Sequence, residues 1–299
     1  MISQQAKDIR DTLLKNKNLD ELLNTPLEVK RKGWEEFASN DIIPDGIVIE
    51  KAVINNLPAE WISTVNSSKD NMILYFHGGG HTQGSIVTHR KLAAHIAKNT
   101  EVPVCIFEYP LAPEYPYPAA LNSSEGVYAY LLDHGYKADN IVLGGDSSGG
   151  GLAIALTLLL KDKEIPFPKG IFLLSPMLDY TLSGDTMKTC AEKDPLCFEE
   201  DLRIDASYYI QNESPFNPLI SPVYGDIRGF PPLLIQAGSE EILLSDATRF
   251  ADKAKTSQVD VELSVWEGMW HVFQGWVGEI PEAADAIEKI GRFTKALFH

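Results

Sequence analysis

Five short and almost wholly apolar runs, "NMILYF", "VPVCIFEY", "NIVLG", "GIFLLS" and "PLLIQAG", recur along the chain with helix-length segments between them. No other feature restricts the fold so strongly. Runs of about four to eight residues without polar alternation are strands covered on both faces, and the helices between them are the crossovers of parallel strands. Those helices are expected over 88–99, 118–134, 148–161 and 242–255, with a closing helix over 281–298. "IVIEKAVI" and "AEWISTV" read as two earlier strands and "VDVELSVW" as the last, eight in all. The expected class is α/β: an eight-stranded, mostly parallel sheet with helices on both faces.

Two segments fall outside this alternation. Ile2, Ala6, Ile9 and Leu13 recur at helical spacing, so roughly the first 25 residues read as amphipathic helix, and Trp34 and Phe37 suggest a second short helix before Pro44. After Pro176 the alternation stops for about 50 residues, a stretch holding Tyr180, Phe198, Tyr208, Tyr209 and Phe216, with helical character over 199–210. Together these segments would form a helical cap above the carboxyl ends of the strands, where sites lie in open α/β sheets. The expected division is 1–45 for the N-terminal part of the cap, 46–176 for the sheet core, 177–215 for the cap insertion and 216–299 for the rest of the core.

Composition narrows the partners. A net charge of −16 repels phosphate backbones and anionic membrane faces, which argues against nucleic acid. The cysteines are Cys105, Cys190 and Cys197, without CxxC or a Cys/His cluster at metal spacing. Neither a metal nor a disulfide framework is expected, and a reducing cytoplasm is the natural setting. The opening segment is polar, so no signal peptide is expected, and the nearly apolar run 151–160 is about half of a membrane span.

The chemistry is concentrated in "NIVLGGDSSGGGLAIALTLLL". A phosphate-binding loop needs Lys after its last glycine, and none follows until Lys161. A GxGxxG fingerprint fails because Ile154 stands in its third place, as Gln83 does in "HGGGHTQG". What remains is a nucleophile on a sharp strand-to-helix turn, whose flanks have no room for a side chain. Of Asp146, Ser147 and Ser148, only Ser147 has glycine on both sides, Gly145 and Gly149. The plainer alternative is that Ser147 caps the following helix.

On such a turn the base comes late in the chain. Only His271 and His299 follow Ser147 with room for an acid between, and His299 is the last residue, which leaves His271 in "WEGMWHVFQ". The second glycine cluster, "HGGG", follows the third strand, so its backbone N–H groups can face the same pocket. Gly79 and Gly80 with Ser148, and Gly78 beside them, would hold an oxyanion through those groups, while His77 reads as structural.

Read together, "HGGG" at 77–80, "EYPLAPEYPYPAA" at 108–120, "GGDSSGG" at 144–150, "LLSP" at 173–176, "NPLISPVYGD" at 217–226, "PPLLIQAGSEEILL" at 231–244 and "WEGMWHVFQ" at 266–274 make the chain resemble the hormone-sensitive-lipase-like family of α/β-hydrolases. The resemblance implies a metal-free, cofactor-free serine carboxylesterase acting on short-chain acyl esters, a small-molecule substrate, through an acyl-enzyme. It also implies a homodimer through the edge of the last strand. Glu240 fills the place of the usual catalytic Asp, following the Gly238 turn at a strand's carboxyl end, with Glu241, Asp179 and Asp246 as the other carboxylates weighed. Two further departures are Ser148 for the usual Ala and "EYPLAPE", with Glu108 and Pro110, for "DYRLAPE". Other readings are a lactone, carbamate or acetylated-small-molecule hydrolase, or a non-catalytic ligand-binding protein on the same scaffold, which typically dispenses with the base.

Overall fold

A computed structural model describes residues 2–298, so His299 lies outside the described residues. The eight strands are β1 (Ile47–Ile54), β2 (Leu57–Thr64), β3 (Met72–Phe76), β4 (Val104–Phe107), β5 (Ile141–Asp146), β6 (Gly170–Leu174), β7 (Leu233–Gly238) and β8 (Val261–Trp266). They form one sheet in the order β1-β2-β4-β3-β5-β6-β7-β8. β1 and β2 pair antiparallel, as do β2 and β4, whereas β4, β3, β5, β6, β7 and β8 run parallel. The expected α/β architecture is therefore present, with all five apolar runs in its parallel part.

Helices cover both faces. α5 (Ala119–Asp133), α6 (Ser147–Asp162) and α9 (Leu244–Thr256) share one apolar core with the sheet. α4 (Ile86–Thr100) and α10 (Pro281–Phe298) share the other, around Ile73, Tyr75, Val104, Val142 and Leu234. Adjacent strand residues divide between these cores, Leu74 and Phe76 in the first and Ile73 and Tyr75 in the second, because successive side chains point to opposite faces. That two-sided burial is why the runs lack polar alternation.

The remaining helices are α1 (Gln4–Asn16), α2 (Leu19–Asn24), α3 (Leu27–Ala38), α7 (Thr186–Thr189) and α8 (Glu199–Ile210). The first 25 residues, expected as one helix, are broken into α1 and α2, while α3 is the second helix expected before Pro44. Asn18 caps α2 by accepting from Glu21 N at 3.2 Å, and Pro26 opens α3. α1 is tied down by Ser3, whose N and Oγ donate to Glu282 at 2.5 and 2.8 Å. The insertion builds a third core from Tyr180, Met187, Leu202 and Tyr209, packed on Ile242 and Leu243 beside the end of β7.

Register decides what this frame brings together. Phe76, the end of β3, sits opposite Gly145 of β5, Asp146 opposite Leu174 of β6, and Gly238 of β7 opposite Trp266 of β8. Five chain segments therefore leave the sheet together at its carboxyl end: those after 76, 146, 174, 238 and 266.

Candidate active site

Ser147 is the first residue of α6 and has φ +51°, a left-handed conformation that ordinarily costs a non-glycine residue. The turn is fixed by what surrounds it. A Cβ on Gly145 would sit 2.6 Å from the Gly149 carbonyl carbon, and one on Gly149 would run into the carbonyl oxygens of Phe76 and His77. The turn can thus be this sharp only with glycine at 145, and helix α6 can lie against the end of β3 only with glycine at 149. The turn holds the Ser147 side chain at the carboxyl end of the sheet, 7% exposed.

His271 meets it there. Its Nε2 lies 3.0 Å from Ser147 Oγ, a hydrogen bond across 124 positions of sequence. Burial lowers the imidazole's pKa, with Asp194 and then Asp146 pulling the other way, so at neutral pH the ring is the free base that proton abstraction requires. His271 Nδ1 is buried without a hydrogen-bond partner.

Glu240 and Glu241 part company at the end of β7. Glu240 turns outward: its Oε2 accepts from Arg10 Nη1 of α1 at 2.8 Å, its side chain is 26% exposed, and no hydrogen bond joins it to His271. Glu241 turns under the strand ends and is fully buried. Its Oε2 accepts from Ser175 Oγ at 2.6 Å and from Gly238 N at 3.1 Å. Ser175 Oγ in turn accepts from the backbone N–H of Val272, next to His271, at 2.9 Å. Glu241 Oε1, like His271 Nδ1, is buried without a partner. Burial pushes the Glu241 carboxyl up to about 8, with Asp194 and Asp246 adding to it and the Ser175 hydroxyl opposing. One hydroxyl thus links the Glu241 carboxyl to the backbone beside His271, and an acid oxygen and an imidazole nitrogen are each left buried without a partner, costly to charge alone.

The other carboxylates considered are occupied elsewhere. Asp246 Oδ2 accepts from Leu178 N and Asp179 N at 2.8 and 2.9 Å, and Asp179 Oδ2 accepts from Arg249 Nη2 at 2.9 Å.

The glycine loop after β3 faces Ser147 from the other side. Gly79 and Gly80 have φ +116° and +65°, and their N–H groups make no hydrogen bond among the described residues. Ser148 stands at the second position of α6, where helix N–H groups have no internal partner. Gly78 differs from the sequence expectation: its N–H donates to Asp146 Oδ1 at 3.1 Å and also faces His89 Nε2 at 3.2 Å, which turns it away from the pocket. Asp146 also accepts from Tyr75 OH at 2.8 Å. Its pKa is lowered: burial would raise it, but the His89 and Tyr75 contacts outweigh that. Sequence reasoning passed over Asp146 as a scaffold for this loop, and the tight packing of Gly78 against it was the missing signal. His77 is held neutral by burial, its pKa pushed down to about 3, and its ring stacks on Tyr109 at 4.1 Å. Glu108 does not lie under the loop; its Oε1 accepts from Ile86 N at the start of α4, at 2.8 Å.

A sequence model of the alpha/beta hydrolase fold matches residues 73–275. The chain belongs to the α/β-hydrolase fold family. Within this α/β-hydrolase group it is similar to an esterase of Acinetobacter venetianus, 39% identical over 232 residues that make up 77% of each chain. It is also similar to an acetyl-hydrolase of Streptomyces hygroscopicus, 34% identical over 275 residues, 91% of each chain. A crystal structure of an esterase from the bacterial hormone-sensitive lipase family covers 100% of both chains at 36% identity and a TM-score of 0.93. The hydrolase is thus a member of the hormone-sensitive-lipase-like branch that its motifs resemble.

Proposed function

We propose that this α/β-hydrolase is a serine carboxylesterase in which Ser147 is the nucleophile, His271 the general base and Glu241 the acid, acting on short acyl esters of small molecules. The observation that carries the reading is the 3.0 Å contact between Ser147 Oγ and His271 Nε2 on a left-handed turn facing free backbone N–H groups. His271 takes the Ser147 proton as Oγ attacks the acyl carbon. The N–H groups of Gly79, Gly80 and Ser148 receive the developing oxyanion. His271 returns the proton to the departing alcohol, leaving acyl-Ser147, and a water molecule repeats the sequence to free the acid. Glu241 is preferred to Glu240 because it is buried with one oxygen free, is joined through Ser175 to the backbone beside His271, and faces no cation as Glu240 does, so it is the one that can serve the free Nδ1, fix the tautomer and balance the imidazolium.

The similarity to an acetyl-hydrolase favours acetylated small molecules within the same class. Among the described residues no helix is long and apolar enough to cross a membrane. The cap at 1–45 and 177–215, a cytoplasmic setting and a homodimer through the outer edge of β8 belong to this reading. They are supported by the helices outside the sheet, the three free cysteines and the end position of β8 in the strand order.

The test is hydrolysis of p-nitrophenyl acetate. Ser147→Ala should lower turnover by on the order of 10⁶, whereas Ser148→Ala, which keeps its N–H, retains most of it. An active Ser147→Ala protein would refute the assignment.

A further inference from the structure

The loop that carries the oxyanion donors is poorly equipped to hold its own shape. Gly79, Gly80 and His81 are three consecutive residues in the left-handed region, at φ +116°, +65° and +61°. The loop belongs to no strand or helix, and its internal bonds are few: Thr82 N and Gln83 N donate to Gly79 O at 3.0 and 2.8 Å, the Thr82 hydroxyl reaches the same oxygen at a long 3.4 Å, and His77 Nδ1 faces Gly78 O at 2.9 Å. Its shape must be imposed by neighbours.

The core side supplies Asp146 beneath Gly78 and Ser148 Oγ, which accepts from His81 N at 3.3 Å. The far end is gripped by helices outside the sheet, and both take Thr82. Arg31 of α3 donates from Nε to Thr82 O at 2.6 Å and from Nη2 to Ala112 O at 2.7 Å, and is itself braced by Glu114. Asp205 of α8 accepts from Thr82 Oγ1 at 2.6 Å. The second oxygen of Asp205 packs on Gly80, where a Cβ would collide with Oδ2. One buried carboxyl therefore touches the donor loop at two residues with its two oxygens.

Keeping it there is costly. Burial pushes the Asp205 carboxyl up to about 7 and Asp201 adds to this, while the Thr82 hydroxyl, Lys30 and Arg31 oppose. Asp201 is itself paired with Lys30 at 2.8 Å. Simple filling of the space would be met by an apolar side chain without that desolvation cost.

We propose that Asp205 is a positioning residue for the oxyanion hole: by holding Thr82 and crowding Gly80, it makes the aim of the Gly79 and Gly80 N–H groups depend on α8 being seated. This rests on the serine-esterase reading above. A substrate that lets α8 seat closes the donors on its own carbonyl, and one that props α8 open loses them, so fit beneath α8 is read out in acylation rather than in binding.

The test compares kcat and KM for p-nitrophenyl butyrate in Thr82→Val, Asp205→Ala and the double variant, together with Thr82→Ser and Asp205→Asn. Labelling of Ser147 by a fluorophosphonate is followed in parallel. Thr82→Val and Asp205→Ala should each lower kcat about tenfold to a hundredfold with KM changed by less than about twofold. The double variant should be no slower than the slower single one, because both break the same contact. Thr82→Ser and Asp205→Asn keep the donor and the acceptor and should stay within about threefold of the parent. Parental kcat in folded Thr82→Val or Asp205→Ala, additive losses, or no rescue by Ser and Asn would overturn the inference. Should Asp205→Ala fail to fold, Thr82→Val, nearly isosteric, decides alone. Labelled Ser147 with unaltered variants defeats this inference only; a Ser147 that the probe never labels defeats the esterase reading itself.

Discussion

At the scale of single residues the sharpest question is which of two adjacent glutamates serves His271. Spacing favoured Glu240, which follows the strand end as the usual aspartate does. The geometry gives Glu240 to Arg10 at a partly exposed ion pair and sends Glu241 into the protein beside Ser175. Consecutive residues in a turn point in different directions, so a shift of one position exchanges solvent for the triad. Amide variants separate them. Glu241→Gln should lower kcat by about 10⁴, the loss expected when the group fixing the histidine tautomer is neutralised. Glu240→Gln loses only the partly exposed ion pair with Arg10, worth on the order of 1 kcal/mol, and should leave kcat near the parent value. Steady-state kinetics on both variants check this, and the reverse ranking would return the role to Glu240.

At the scale of elements, the close approach of α6 to the end of β3 is what places Ser147 beside the glycine loop. Gly149 is the contact, with the Phe76 and His77 carbonyl oxygens where its Cβ would be. Backbone atoms of a central strand cannot step aside. Gly149→Ala should therefore destabilise the protein by about 3 kcal/mol or more, or leave it unfolded. The same substitution at Gly33, inside α3 with nothing within 4 Å of its Cβ, should stabilise by up to about 1 kcal/mol, since alanine favours the helix and loses less entropy. Thermal melts of the two variants give opposite signs if helix-to-strand contact, rather than intrinsic glycine flexibility, explains Gly149. A small effect of Gly149→Ala would mean that α6 can move off β3 without harm.

At the scale of the whole molecule, aromatic rings from separate segments gather on the glycine loop. His81 stacks on Tyr209 at 3.9 Å, Tyr180 lies 5.4 Å from Tyr209, and all three are buried. Phe37 and Tyr208, which lie in the segments expected to form the cap, face outward at 77% and 39% exposure. A substrate pocket closed by that stack should favour acyl chains of about two to six carbons, each buried methylene adding at most roughly 0.8 kcal/mol until the room ends. A p-nitrophenyl ester series checks it, and faster turnover of sixteen-carbon than four-carbon esters would overturn it. The sequence by itself determined whatever depends on chain-local chemistry. Apolar runs covered on both faces could only be central strands, two glycines had to flank Ser147, and His271 alone stood late enough within the described fold. The break between α1 and α2 at Asn18 was equally local and could have been read from the capping residue. Only the tertiary structure decided which glutamate turns inward, that the Gly78 N–H is already taken by Asp146, that Phe37 faces out, and that Asp205 reaches Thr82 from 123 positions away. Spacing along a chain fixes which residues can leave a strand end together; the direction of each side chain there is set by backbone angles and by whichever distant group first satisfies a buried donor or acceptor.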